Sequence, residues 1–88
     1  MKDQRRSSRF KKDYKKAIKQ HKDISLLEDV INKLSTGEPL PSKFKDHSLT
    51  GDLREYRELH LEPDWLLIYK VTTNELLLAR LGSHSELY

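Results

Sequence analysis

Leu53-Arg54-Glu55-Tyr56-Arg57-Glu58-Leu59-His60-Leu61, then Glu62-Pro63-Asp64, then Trp65-Leu66-Leu67-Ile68-Tyr69-Lys70-Val71 is the stretch that decides the fold. Its first part alternates charged residues with apolar or aromatic ones, the period of a strand. Its last part is a mostly apolar run of strand length, consistent with a central strand covered on both faces. Glu62-Pro63-Asp64 makes a tight connection between them. Thr72-Thr73-Asn74 then turns the chain into a third strand, Glu75 to Leu81, which Gly82 ends. The reading is an antiparallel meander.

Two helices precede it. From Arg9 to His21, Phe10, Tyr14, Ala17 and Ile18 fall at i, i+4, i+7 and i+8, one apolar stripe. Lys11, Lys12, Lys15, Lys16 and Lys19 occupy the remaining surface. A second helix runs from Leu26 to Ser35, with Leu27, Val30, Ile31 and Leu34 on one face. Ser25 and Glu28 form a capping box at its start, and Gly37 is its expected stop. Lys22-Asp23-Ile24 joins the two as a helical hairpin. Thr36 to Thr50 has two prolines, a glycine and no period, so it reads as a long loop, and such loops are often functional. Lys2 to Ser8 is placed as an edge strand. The fold class is α+β: two helices on one face of a small antiparallel sheet, a single domain over residues 1–88 with no repeat.

Composition narrows the function. The chain has 88 residues and no cysteine, which removes disulfides, thiolate nucleophiles and Cys-based zinc sites together. Lack of disulfides fits a reducing cytoplasm. No run of about 18 apolar residues exists, and the N-terminus has no apolar core of a signal peptide, so a membrane-spanning or secreted protein is not expected. Residues 1–22 hold ten Lys/Arg and two Asp, whereas residues 23–88 hold seven Lys/Arg and twelve Asp/Glu. Such a basic block attracts phosphate or an acidic partner, unless it is only a solvated helix face.

The meander has a geometric consequence. The end of its first strand, the start of its second and the end of its third share one sheet edge. His60, Asp64, Trp65 and the Ser83-His84 tail therefore converge, with Arg80 just inside the rim. His47, in the long loop, can fold over the same region. Imidazoles exchange protons near neutral pH with little tuning. RNA cleavage by internal transesterification needs one group to take the 2′-hydroxyl proton and another to protonate the departing 5′-oxygen. A cation such as Arg80 stabilises the extra charge on phosphorus, and Trp65 and Tyr88 can stack on bases. Each residue also has a plainer reading: Trp65 as core, Asp64 as turn chemistry, Arg80 as a cross-sheet partner of Glu58 or Glu55, His21 as a surface residue. No H-x-x-x-H or Cys spacing supports zinc, so neither a metal nor a cofactor is expected.

Three segments together carry a family resemblance: Lys45-Asp46-His47-Ser48-Leu49-Thr50-Gly51, Tyr56 to Tyr69 with its His60-x-Glu62-Pro63-Asp64 core, and Arg80-Leu81-Gly82-Ser83-His84-Ser85-Glu86-Leu87-Tyr88. The chain resembles the YafQ branch of the RelE/ParE superfamily of type II toxins along essentially its whole length. That resemblance implies a ribosome-dependent mRNA endonuclease, inhibited by a cognate antitoxin and meeting DNA only through the antitoxin complex. It implies catalytic roles for His47, His60, Asp64 and His84, and substrate contacts for Trp65, Arg80 and Tyr88. Tyr88 stands where the family often has Phe, and Glu58 where some relatives have Asp. The basic helix, through Lys11, Lys12, Lys15 and Lys16, is expected to bind ribosomal RNA phosphates in a salt-dependent way. The rival reading is a binding module or non-cleaving ParE-like toxin that poisons gyrase, which would have no need of histidines at that rim. A DNA-binding regulator acting alone lacks a helix-turn-helix pattern.

Overall fold

The computed structural model describes all of residues 1–88. In chain order the elements are β1 (Asp3–Arg6), α1 (Ser8–Lys19), α2 (Ile24–Thr36), β2 (His47–Ser48), β3 (Arg57–Glu62), β4 (Trp65–Val71), β5 (Glu75–Gly82) and α3 (His84–Leu87). One five-stranded sheet has the order β1-β5-β4-β3-β2. The meander β3-β4-β5 is antiparallel as expected. The N-terminal segment does add an edge strand, but β1 runs parallel to β5, so the sheet is mixed.

The helices cover one face. Leu27, Val30, Ile31 and Leu34 of α2 are all buried, with Leu59, Leu61, Leu67, Tyr69, Leu76, Leu78 and Leu81 beneath them. Alternate strand residues supply that face, as period two requires. Gly37 ends α2 in the left-handed conformation, φ 78°. Phe10 and Ala17 of α1 are buried too, but Ile18 is 51% exposed. The apolar stripe of α1 is narrower than its periodicity suggests, because the helix packs chiefly along β5, one strand in from the sheet's edge.

Four local expectations need correction. The cap of α2 is Asp23, whose carboxylate accepts from the Leu26 amide at 3.0 Å, so Ser25 lies inside the helix. A carboxylate two residues earlier is the stronger acceptor for the free helix-start amides. Helix α1 stops at Lys19 rather than His21, which takes φ 59° to turn the chain into α2. The first meander strand begins at Arg57; Gly51–Leu53 is a 3-10 turn. The long loop is not periodless throughout: Ser42–Phe44 is a second 3-10 turn, and His47–Ser48 pairs with β3.

Candidate active site

The face of the sheet away from α2 carries the site, and strand register sets its rows. Opposed residues in antiparallel strands project to the same side. One row is His47, Glu58, Ile68 and Arg80; the next is His60, Leu66 and Gly82. Leu66 and Ile68 are buried but lie outside the main core cluster, so they form the apolar floor beneath the polar groups. Gly82 leaves room for α3 there. A Cβ would sit 3.1–3.3 Å from the Glu86 and Leu87 side chains, so a larger residue would make α3 give by a few tenths of an ångström.

Helix α3 is a single turn closed by its own capping box, with Ser83 and Glu86 as the reciprocal partners. The Lys16 ammonium and the Ser83 amide hold the Glu86 carboxyl down at about 2. This brace places His84 beside Asp64. The Asp64 carboxylate accepts from the His84 backbone amide at 2.9 Å and pairs with its Nδ1 at 2.7 Å. Those two bonds, the backbone one foremost, keep Asp64 below the usual carboxylate range. With Nδ1 so engaged, the Nε2 of His84 is the nitrogen left for a substrate. His84 and Asp64 are both exposed.

His60 occupies the centre of a row of imidazoles. Its ring lies 5.7 Å from that of His84 and 6.2 Å from that of His47, centroid to centroid. The convergence read from the meander is therefore present, and His47 joins it because β2 docks on β3. His47 is fixed by its loop: its Nδ1 meets the Lys45 carbonyl at 2.7 Å, and a carbonyl can only accept. Tyr69 donates to Asp46 at 2.6 Å and Arg57 bonds the same oxygen at 3.2 Å, which pins the residue before His47. Burial first, and that bond second, push the Tyr69 phenol up, so it stays a donor.

Glu58 is the residue that sequence reasoning left without a role. Only 6% exposed, it faces His47 Nε2 at 3.4 Å and His60 Nε2 at 3.8 Å through one oxygen. Its other oxygen accepts from the Tyr88 hydroxyl. Burial and this carboxylate push the Tyr88 phenol up to about 12. The available signal was parity: Glu58 stands two positions before His60 and so shares its face.

The remaining site residues divide. Trp65 is 2% exposed and belongs to the core cluster, so its packing role holds and no ring face is open to a base. Tyr88 is 65% exposed and keeps its ring available. Arg80 pairs neither with Glu58 nor with Glu55: Asp13 of α1 binds it through Nε at 2.9 Å and Nη2 at 3.4 Å. The same carboxylate accepts from the Leu81 amide, tying α1 to β5. Lys11, Lys12 and Lys15 are exposed and free of acidic partners, whereas Lys16 is taken by Glu86.

The chain's relatives share this arrangement of elements. The family described as bacterial toxin of type II toxin-antitoxin system, YafQ, matches residues 2–88. The mRNA interferase toxin YafQ of Escherichia coli K12 is 43% identical over 83 residues, 93% of this chain and 90% of that protein. The toxin in the crystal structure of the E. coli DinJ-YafQ toxin-antitoxin complex superposes with a TM-score of 0.93 at 42% identity, covering 99% of this chain and 97% of that one. A metal-bound toxin from Helicobacter pylori superposes with a TM-score of 0.94 at 47% identity, over the full length of both. With a family match along nearly its whole length and relatives this similar, the chain belongs to the YafQ family of bacterial type II toxins.

Proposed function

We propose that this chain is an mRNA interferase that cuts transcripts in the ribosomal A site of the bacterial cytoplasm and is neutralised by a cognate antitoxin. The observation that carries the reading is the row of three imidazoles, with Asp64 at its His84 end and Glu58 between His47 and His60. The naming of the E. coli relative as an mRNA interferase, and its structure with DinJ, support it. No helix of the chain is long and apolar enough to cross a membrane.

In this scheme the 2′-hydroxyl attacks the adjacent phosphorus and the bond to the 5′-oxygen breaks. The products are a 2′,3′-cyclic phosphate, which can open to a 3′-phosphate, and a 5′-hydroxyl. His60 and His84 carry the two proton transfers, one accepting from the 2′-hydroxyl and one donating to the 5′-oxygen. Asp64 holds the His84 ring so that Nε2 faces outward. His47, oriented by the Lys45 carbonyl and Glu58, is the third group, placed to bind phosphate or relay a proton. Arg80 adds positive charge on the Glu58 row, held by Asp13. Tyr88 offers the stacking surface. Lys11, Lys12 and Lys15 form the exposed face for ribosomal RNA.

Primer extension on a translated message, with and without ribosomes, tests the reading. In-frame cuts that appear only with ribosomes are expected, and His84→Gln should abolish them. An uncut message with arrested synthesis would refute cleavage and favour a non-cleaving toxin.

A further inference from the structure

The long loop carries more than His47. Beside His60, between the Ser42–Phe44 turn and the end of β3, lies a cleft of about 380 Å³. That falls within the size range of small-ligand sites. Lys43 and Lys45 line it together with His60, Leu26 and Pro63. Both lysines are exposed and neither has a carboxylate partner. By contrast Lys22, Lys33, Arg57, Lys70 and Arg80 are each paired. Glu62, the cleft's own acid, is engaged by Lys22.

The loop is also built to hold the backbone at these lysines in place. Phe44, between the lysines, is 5% exposed and anchors the turn in the core. Lys45 adopts φ 50°, a left-handed conformation that costs a side-chain-bearing residue about 1 kcal/mol or more. That turn brings its carbonyl to His47 Nδ1. One backbone feature thus orients an imidazole of the site and sets where the Lys45 side chain leaves the loop. His60 belongs to both the imidazole row and the cleft lining, so the cleft opens beside the middle of the row.

We propose that this cleft is a subsite for the nucleotide flanking the scissile phosphate. Lys43 and Lys45 hold the nucleotide's phosphate, while its sugar and base rest against Leu26 and Pro63. The proposal rests on the endonuclease reading and adds to it a binding site outside the reacting groups.

The test is titration of the isotope-labelled full chain with a short oligonucleotide 2′-O-methylated at every position, which binds but cannot be cut. Amide shifts are expected at residues 43–45 and 61–63 as well as around His60 and His84. Lys43→Gln/Lys45→Gln should erase the first set and lower the log–log salt slope of binding by about 0.7–1.4, one or two single-strand phosphates. His84→Gln should leave the cleft shifts intact. Shifts confined to the imidazole row, or unchanged affinity and salt slope in the double variant, would overturn the subsite while the ribosome cleavage assay still upholds the nuclease. No binding, together with no cleavage, would sink both. Saturation of residues 43–45 by an oligoglutamate peptide more tightly than by RNA would assign the lysines to an acidic protein partner and overturn the proposal.

Discussion

Tyr88→Phe isolates one oxygen atom at the end of the chain. The phenyl ring remains for stacking, and only the hydroxyl that donates to Glu58 is lost. A hydrogen bond to a charged group contributes about 1.5–3 kcal/mol. Because Tyr88 is 65% exposed and water competes for the hydroxyl, the lower end applies, about 1.5 kcal/mol. That corresponds to roughly tenfold in the population whose tail is docked. Tyr88 also donates its amide to the His84 carbonyl at 2.9 Å, so a looser tail is a looser His84. Single-turnover cleavage of ribosome-bound message should therefore slow by about tenfold, with little loss of ribosome binding. Since the phenol is pushed up to about 12, the hydroxyl remains a donor throughout the neutral range. The ratio of wild-type to variant rates should accordingly stay flat between about pH 6 and 9. Tyr88→Ala, which loses ring and hydroxyl, should fall further. Wild-type cleavage by Tyr88→Phe would refute the idea that the Glu58 contact positions the tail.

Three further outcomes are expected. His84→Ala should lower cleavage about 10²–10⁴-fold while antitoxin binding, followed by calorimetry, persists; near wild-type cleavage would remove His84 from the proton transfers. Glu86 lies below its ordinary 4.5, at about 2, so its contribution is full above the ordinary value and is lost as pH falls through the folded one. Cap and ion pair together are worth about 1–2 kcal/mol, so acid should cost wild type more stability than Glu86→Gln in denaturant titrations between those pH values; parallel curves would contradict this. Replacing Lys11, Lys12 and Lys15 with Gln should weaken ribosome pelleting and flatten its salt dependence without shifting the thermal midpoint; unchanged pelleting would leave those lysines to solubility or the antitoxin.

The meander and the face of α2 were readable because burial writes a period into the sequence. Leu27, Val30, Ile31 and Leu34 repeat at helical spacing, and β3 to β5 alternate or run apolar as their coverage demands. From that topology alone His60, Asp64 and His84 could be brought to one rim. What stayed hidden depends on partners distant in sequence. Nothing local to Arg80 names Asp13 as its partner, 67 positions away. Glu58 looks like any solvent-facing strand charge until β2 and the tail cover it. Tyr69 reads as core, and only the folded loop shows that its hydroxyl carries Asp46. Trp65 failed as a base-stacking residue for a related reason, since an aromatic beside a turn gives the same signal whether its ring is covered or open. The mixed sheet was missed because a four-residue strand with charged residues carries no mark of parallel pairing.

The parallel pairing of β1 with β5 bears on how the toxin is made. Ser7, which starts α1, bonds to Ala79, 72 positions later. Closing a loop of that length, compared with a hairpin turn, costs roughly 2–3 kcal/mol more in chain entropy. Until β5 has been synthesised, β1 has no neighbour and the apolar side of α1 has only a fraction of its packing surface. The first twenty residues therefore wait for β5, Glu75–Gly82, and such distant pairings slow folding. The imidazole row draws on both the loop at residue 47 and the tail at residue 84, so it too assembles late. In a nascent chain of this topology the sheet, and with it the imidazole row, closes only once β5 has emerged.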